Sequence, residues 1–162
     1  MQTVFLLRDN KDIKEYYQNK FRYVSVDEFQ DTNQAQFVLT SLLCGGYRNI
    51  MVVGDDDQSI YRFRGAVIEN ILGFDRKYKD AKIIKLEQNY RSTKMIVNAA
   101  NSLIGKNSEQ IHKTVYSERG EGEPVTLYQA YSDYEEVEIV ANKISELRRK
   151  EGYEYSDYAI LY

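Results

Sequence analysis

The 162-residue chain has no tryptophan, one proline (Pro124), one cysteine (Cys44) and one histidine (His112). A lone cysteine cannot close an internal disulfide, which fits a reducing interior. A lone histidine in a polar stretch lacks the neighbours of a metal site and reads as a surface residue. No apolar run approaches the roughly 20 residues of a membrane span, and no secretory signal opens the chain. A soluble cytoplasmic protein is expected. Excess positive charge is also missing: 22 Lys and Arg face 25 Asp and Glu, a net charge of −3. That balance excludes a protein that binds nucleic acid with its whole surface; such contact needs a local patch. A last absence bears on chemistry. A loop that cradles phosphates needs G-x-x-x-x-G-K-[S/T], so that backbone N–H groups surround the phosphates and Lys reaches the terminal ones. The only Gly-Lys pair is Gly105-Lys106; Asn107 follows it, and Ala100 stands where the first glycine belongs.

What is present supports a packed core. Hydrophobic residues make up 43% and charged residues 29%, enough for one ordinary domain or parts of two. Aromatic content is carried by 15 Tyr and 6 Phe, which suit half-buried packing and also supply stacking faces for bases.

The apolar pattern alternates between helical and strand periods. Residues 4–20 read as helix with a break at Asp9 or Asn10, and 21–26 as a strand. Asp31 or Thr32 would cap a helix carrying Ala35, Val38, Leu39, Leu42 and Leu43, which Gly45-Gly46 ends. Residues 50–53 form a continuous apolar run, the pattern of a strand buried on both faces. A helix over 67–74, a third strand over 83–86 and a helix opened by Ser92 or Thr93 follow. The polar stretch 105–124 reads as a connection. Beyond Pro124 come a strand (125–130), a capping box Ser132-Asp133-Tyr134-Glu135 and a helix with Val137, Val140, Ile144 and Leu147 inward. Gly152 stops that helix, and 158–162 begins another strand. The pattern gives an α/β fold with a parallel sheet flanked by helices.

Three blocks carry chemistry. In Asp27-Glu28-Phe29-Gln30-Asp31, two adjacent carboxylates leave the C-terminal end of a strand, where open α/β sheets bind ligands. Asp27 can hold a hydrated Mg²⁺ while Glu28 polarises a water, which points to nucleotide hydrolysis. A solvated strand end with a helix cap is the plainer alternative. The second block runs from Gly54 to Ala66. Its acids Asp55, Asp56 and Asp57 need a cation, a cap or solvent. Neutral Gln58 suits a residue that senses a terminal phosphate. If the segment is extended, Tyr61 and Phe63 point one way and Arg62 and Arg64 the other, as a single-strand platform requires. The alternative packs the rings in the core and pairs the arginines with the three acids. The third block, Leu86-Glu87-Gln88-Asn89-Tyr90-Arg91-Ser92, sets Arg91 near a helix N-terminus, where phosphate is favoured. Its alternative is an Arg91–Glu87 surface pair.

These blocks, in this order, resemble the Walker B motif, motif III and motif IV of the UvrD/Rep/PcrA helicases of superfamily 1, and the resemblance runs from about residue 5 onward. It implies a RecA-like P-loop NTPase fold and the cofactors ATP and Mg²⁺. Asp27 would hold Mg²⁺ through water, and Glu28 would be the general base. Gln58 would read the γ-phosphate and link it to DNA. Tyr90 would stack on adenine and Arg91 would neutralise γ-phosphate charge. Tyr61, Phe63 and Arg64 would lie on the single-strand track. Phe63 departs from the Trp of many relatives. The family's adenine-reading Gln motif, phosphate loop, last two motifs and both inserted subdomains are absent from the chain.

The expectation is therefore a section of an ATP-dependent 3′→5′ DNA helicase acting in repair or replication. Residues 1–104 would be the later part of the first RecA-like domain, 105–124 the connection and 125–162 the start of the second. Partners would be single-stranded DNA, duplex junctions and DNA-repair proteins, with no membrane. Alone the chain should be inactive. A catalytically inactive binding module and a metal-dependent nuclease using Asp27, Glu28 and Asp55 to Asp57 are the competing readings.

Overall fold

The computed structural model describes residues 1–108 and 110–162, which fall into two units, 1–122 and 123–162. In the first, α1 (Gln2–Asp9) and α2 (Lys11–Lys20) meet at Asn10, whose backbone is extended. The Asn10 N–H and Nδ2 both donate to the Leu6 carbonyl, at 3.1 and 2.9 Å, which closes α1 at the break expected there. The strand β1 (Val24–Val26) pairs in parallel with β2 (Ile50–Val52), Val24 opposite Ile50. Between them runs α3 (Gln34–Cys44), on which α1 and α2 pack. This is a β-α-β crossover, as the alternating pattern requires.

The core lies under the turn after β1. Phe29 is fully buried, with its ring 6.0 Å from Phe37 of α3 and 5.6 Å from Phe74. Burying such a side chain stabilises by roughly 1.5–3 kcal/mol. Phe74 belongs to α5 (Phe74–Lys77), which follows α4 (Glu69–Leu72) across Gly73. The single helix expected over 67–74 is therefore two short ones. Lys94–Ile104 forms α6, beginning after Thr93 as expected.

Several expectations are corrected. The cap of α3 is Asn33, not Asp31 or Thr32. Asp31 closes a 3₁₀ turn over Phe29–Asp31, and the Thr32 hydroxyl donates back to the Phe29 carbonyl at 2.7 Å. Asn33 then forms a reciprocal capping box with Gln36. The strand read over 21–26 shortens to three residues, and β2 is not covered on both faces, since Met51 is 57% exposed. The sheet has two strands among the described residues. Residues 83–86 form no strand, and Leu86 is 81% exposed; an isolated bridge, Gln88 to Tyr116, is the pairing present nearby.

In the second unit, α7 (Asp133–Glu151) starts at Ser132, whose hydroxyl accepts from the Glu135 N–H at 3.2 Å. The box is only half made, because the Glu135 carboxylate takes the Tyr131 N–H instead of that of Ser132. Gly152 ends the helix with φ 74°, the left-handed conformation that favours glycine. Val140, Ile144 and Leu147 are half-buried and Val137 is exposed, so the inward stripe is only partly covered. The segments 125–130 and 158–162, expected as strands, do not pair. Among the described residues no helix is long and apolar enough to cross a membrane.

Candidate nucleotide and nucleic-acid site

Val26 ends β1 and hands the chain to Asp27 and Glu28. Asp27 Oδ1 accepts the Glu28 N–H at 2.9 Å, and Glu28 adopts φ 49°, ψ 44°. Left-handed backbone is uncommon for a non-glycine residue and costs roughly 1–2 kcal/mol. Its neighbours hold it there: Val53 N–H donates to Val26, Phe29 N–H donates to Val53, and Phe29 is locked in the core. The turn leaves both carboxylates exposed at the strand end.

A buried glutamine joins this turn to the second block. Gln30 Nε2 donates to Glu28 Oε2 at 2.8 Å, and Gln30 Oε1 accepts the Asp55 N–H at 3.0 Å. Gly54 makes room for it, since a Cβ there would stand 2.6 Å from Gln30 Oε1 and 2.9 Å from Ile71. Asp55 in turn caps the 3₁₀ turn Asp56–Gln58 and accepts Gln58 Nε2 on Oδ2 at 2.6 Å. A carboxylate only accepts, so the Gln58 amide nitrogen faces Asp55. Glu28 and Gln58, each expected at the nucleotide, are thus connected through Gln30 and Asp55.

The cation that the three acids demand is Lys113. Its Nζ lies 2.8 Å from Asp55, 3.3 Å from Asp56 and 2.7 Å from Asp57, with the lysine side chain only 14% exposed. The Ile111 N–H adds a 2.6 Å bond to Asp56. Burial pushes the Asp55 carboxyl up, but hydrogen bonds from Lys113 and Gln58 outweigh it and leave the group below its ordinary value. Burial likewise lowers Lys113, and the bonds to Asp55 and Asp57 more than reverse this. The alternative pairing of Arg62 and Arg64 with these acids is overturned. Among the described residues no three His, Cys, Asp or Glu side chains are grouped to hold a metal ion, and an ammonium already sits among Asp55 to Asp57. The arrangement does not support the nuclease reading.

The aromatic segment is not extended. Arg62–Arg64 forms a 3₁₀ turn that brings Tyr61 and Phe63 to 5.9 Å, with the Arg64 guanidinium 5.0 and 5.5 Å from their ring centres. Arg64 therefore joins the rings and does not point away from them. Phe63 is 79% exposed, which overturns core packing for this ring.

In the third block, Asn89 Oδ1 accepts the N–H groups of Arg91 and Ser92 at 2.9 and 2.8 Å, shaping the turn into α6. Tyr90 is exposed and its hydroxyl donates to Gln88. Glu87 accepts the Thr114 N–H, and among the described residues Arg91 makes no ion pair with it. A cavity of about 330 Å³ is walled by Gln58, Asn89, Ser92, Asn101 and Lys113, so the second and third blocks share it; Tyr90 and Arg91 are not in its wall. A second cavity, about 410 Å³, opens beside Asp27, Glu28, Asp31 and Thr32.

Sequence reasoning missed Gln30, Asn89 and Lys113. Three acids in a row signalled an unidentified cation, but nothing local identified a lysine 56 to 58 residues onward, a separation set by the fold. Asp27, with one oxygen committed to Glu28 and its side chain exposed, suits a hydrated Mg²⁺, which keeps most of its waters. The phosphates of a nucleotide fit less well: no glycine-rich cradle is present, and the N-terminus of α3 is closed by the Asn33 box.

Two family models match the chain. That of the UvrD/REP helicase N-terminal domain covers residues 1–79, and that of the UvrD-like helicase C-terminal domain covers residues 84–162. The chain is 49% identical over all 162 residues to proteins named ATP-dependent DNA helicase PcrA in Staphylococcus aureus (strain Mu50) and Staphylococcus epidermidis (strain ATCC 12228). It spans 22% of the length of each.

Proposed function

This chain belongs to the UvrD/Rep helicase family, and on that footing we propose that it is the cation-and-base half of an ATP-dependent DNA helicase's nucleotide site, joined to part of its single-strand track. Residues 1–104 would be the later part of a first RecA-like lobe, 105–124 the connection and 125–162 the start of a second. Asp27 holds Mg²⁺ through water, and Glu28 takes the proton from the attacking water. Bound Mg²⁺ supplies positive charge to the phosphates. Gln58 senses the terminal phosphate, Arg91 neutralises charge on it, and Tyr90 offers an exposed ring to adenine. Tyr61, Phe63 and Arg64 stack against bases. The whole helicase would move 3′→5′ on single strands from duplex junctions, in the cytoplasm, beside DNA-repair proteins.

One observation carries this reading: the bonded line from Glu28 through Gln30 and Asp55 to Gln58, with the Tyr61–Phe63–Arg64 cluster directly after it. The proposed base and the proposed aromatic platform are thereby joined by a continuous line of hydrogen bonds and adjacent residues. A binding module without catalysis gives no reason to place a strained glutamate at a strand end.

Glu28→Gln in the longer helicase tests it. The substitution keeps shape and removes the base, so DNA-stimulated hydrolysis should fall by about 10²–10⁴-fold while ATP binding is retained. Hydrolysis at the unmutated rate would contradict the role given to Glu28.

A further inference from the structure

The polar stretch 110–117 reaches both chemical blocks. At one end the Ile111 N–H and Lys113 Nζ engage Asp55, Asp56 and Asp57. At the other, Thr114 N–H donates to Glu87 Oε1, Tyr116 N–H to the Glu87 carbonyl, and Ser117 Oγ to the Ser92 carbonyl at 2.6 Å. Asn101 of α6 ties down the middle through the Val115 carbonyl. The acids lie in the part matched by the N-terminal family model, whereas Lys113 lies in the part matched by the C-terminal one.

We infer that Lys113 is a positioning residue, which holds Asp55 in place to orient the Gln58 amide and so couples the Glu87–Ser92 block to that glutamine. Asp55 uses its two oxygens differently: Oδ1 meets Lys113 and Oδ2 holds Gln58. With Nε2 fixed on Asp55, the Gln58 carbonyl oxygen faces away from the acid. Remove the ammonium and three consecutive carboxylates are left to repel one another in a half-buried turn, so Asp55 leaves its position and Gln58 loses its orientation. Each partner of Lys113 is a side chain of this turn, so a shift of the 110–117 stretch moves Asp55 directly. The assignment of Gln58 to phosphate sensing rests on the function proposed above; the geometry of Lys113, Asp55 and Gln58 does not.

Two readouts separate these. In the 162-residue chain labelled with ¹⁵N, the Gln58 side-chain amide should show the downfield shift and slowed exchange of a charge-assisted bond. Lys113→Met should abolish that signature and Lys113→Arg should keep it, with the backbone spectrum of both folded. Asp55→Asn leaves Lys113 paired to Asp56 and Asp57 and should also abolish it, which identifies Asp55 as the partner, and Lys113→Gln replaces Lys113→Met with the same expected loss if that variant unfolds. An unchanged Gln58 amide in folded Lys113→Met or Asp55→Asn overturns the inference. In the longer helicase, Lys113→Met should lower the DNA-stimulated kcat for ATP by about 10²-fold, the scale of a ~1 Å misplacement, with KM little changed and Lys113→Arg restoring the rate. An unaltered kcat overturns the coupling. A longer protein that hydrolyses no ATP contradicts the helicase reading instead, and the amide readout still decides the role of Lys113.

Discussion

Phe63 is the residue at which packing and function make opposite demands. It is 79% exposed, so Phe63→Ala should change folding stability by well under the ~3–5 kcal/mol of an emptied core site. As one face of the Tyr61–Arg64 cluster, it should instead contribute to single-strand affinity: in the longer helicase Phe63→Ala should weaken binding by roughly 1–3 kcal/mol. Phe63→Trp offers a larger π-face and should bind as tightly or more so, without loss of melting temperature. Binding titrations and thermal melts on the two variants check this; a large drop in melting temperature with DNA affinity unchanged would assign the ring to packing. At this scale the sequence was informative where chemistry is local. Asp27 and Glu28 do leave the end of a strand and are exposed, and Gln58 follows the second strand, but the Tyr61–Phe63–Arg64 run is a 3₁₀ turn with Arg64 against the rings, where an extended segment was expected. Lys113 and Gln30 were not legible. A buried glutamine and a distant lysine acquire meaning only from partners that the fold brings to them.

Elements show the same division. Helices α3, α6 and α7 were readable because a helix satisfies its own backbone, and its periodicity and caps lie within one segment. The expected strands over 83–86, 125–130 and 158–162 were not realised, because a strand needs a neighbour to bond, and among the described residues these runs have none; the isolated Gln88–Tyr116 bridge lies outside all three. The same apolar runs are exposed, as with Ile84, Leu127 and Leu161. The α3 cap moved by one or two positions for a traceable reason: Thr32 spends its hydroxyl on Phe29, and its carbonyl accepts from Val67 N–H and Asn70 Nδ2. Asn33→Ala should therefore cost about 0.5–2 kcal/mol in chemical denaturation, and Asp31→Ala much less through capping. Equal losses at the two positions would place the cap wrongly.

For the whole molecule, what matters is which half of a nucleotide site these 162 residues would provide under the proposed function. The turn after β1 exposes the Asp27 and Glu28 carboxylates, and the segment after β2 carries the bonded line through Asp55 to Gln58 and then the Tyr61–Phe63–Arg64 cluster. The cradle for phosphates is absent from the chain, which spans 22% of the PcrA helicases it resembles. If Glu28 is the base and Tyr61–Phe63–Arg64 the platform, as proposed, they would not position a triphosphate without the cradle, because neither the affinity nor the alignment supplied by surrounding N–H groups is available. The deciding measurement is steady-state phosphate release from ATP at saturating single-stranded DNA and Mg²⁺, by this chain alone and by the longer helicase. The expected result is no release above background from the 162 residues and DNA-stimulated turnover, on the order of 1–10³ s⁻¹, from the longer protein. Turnover in that range by the chain alone, or none by the longer protein, would contradict the division of the site.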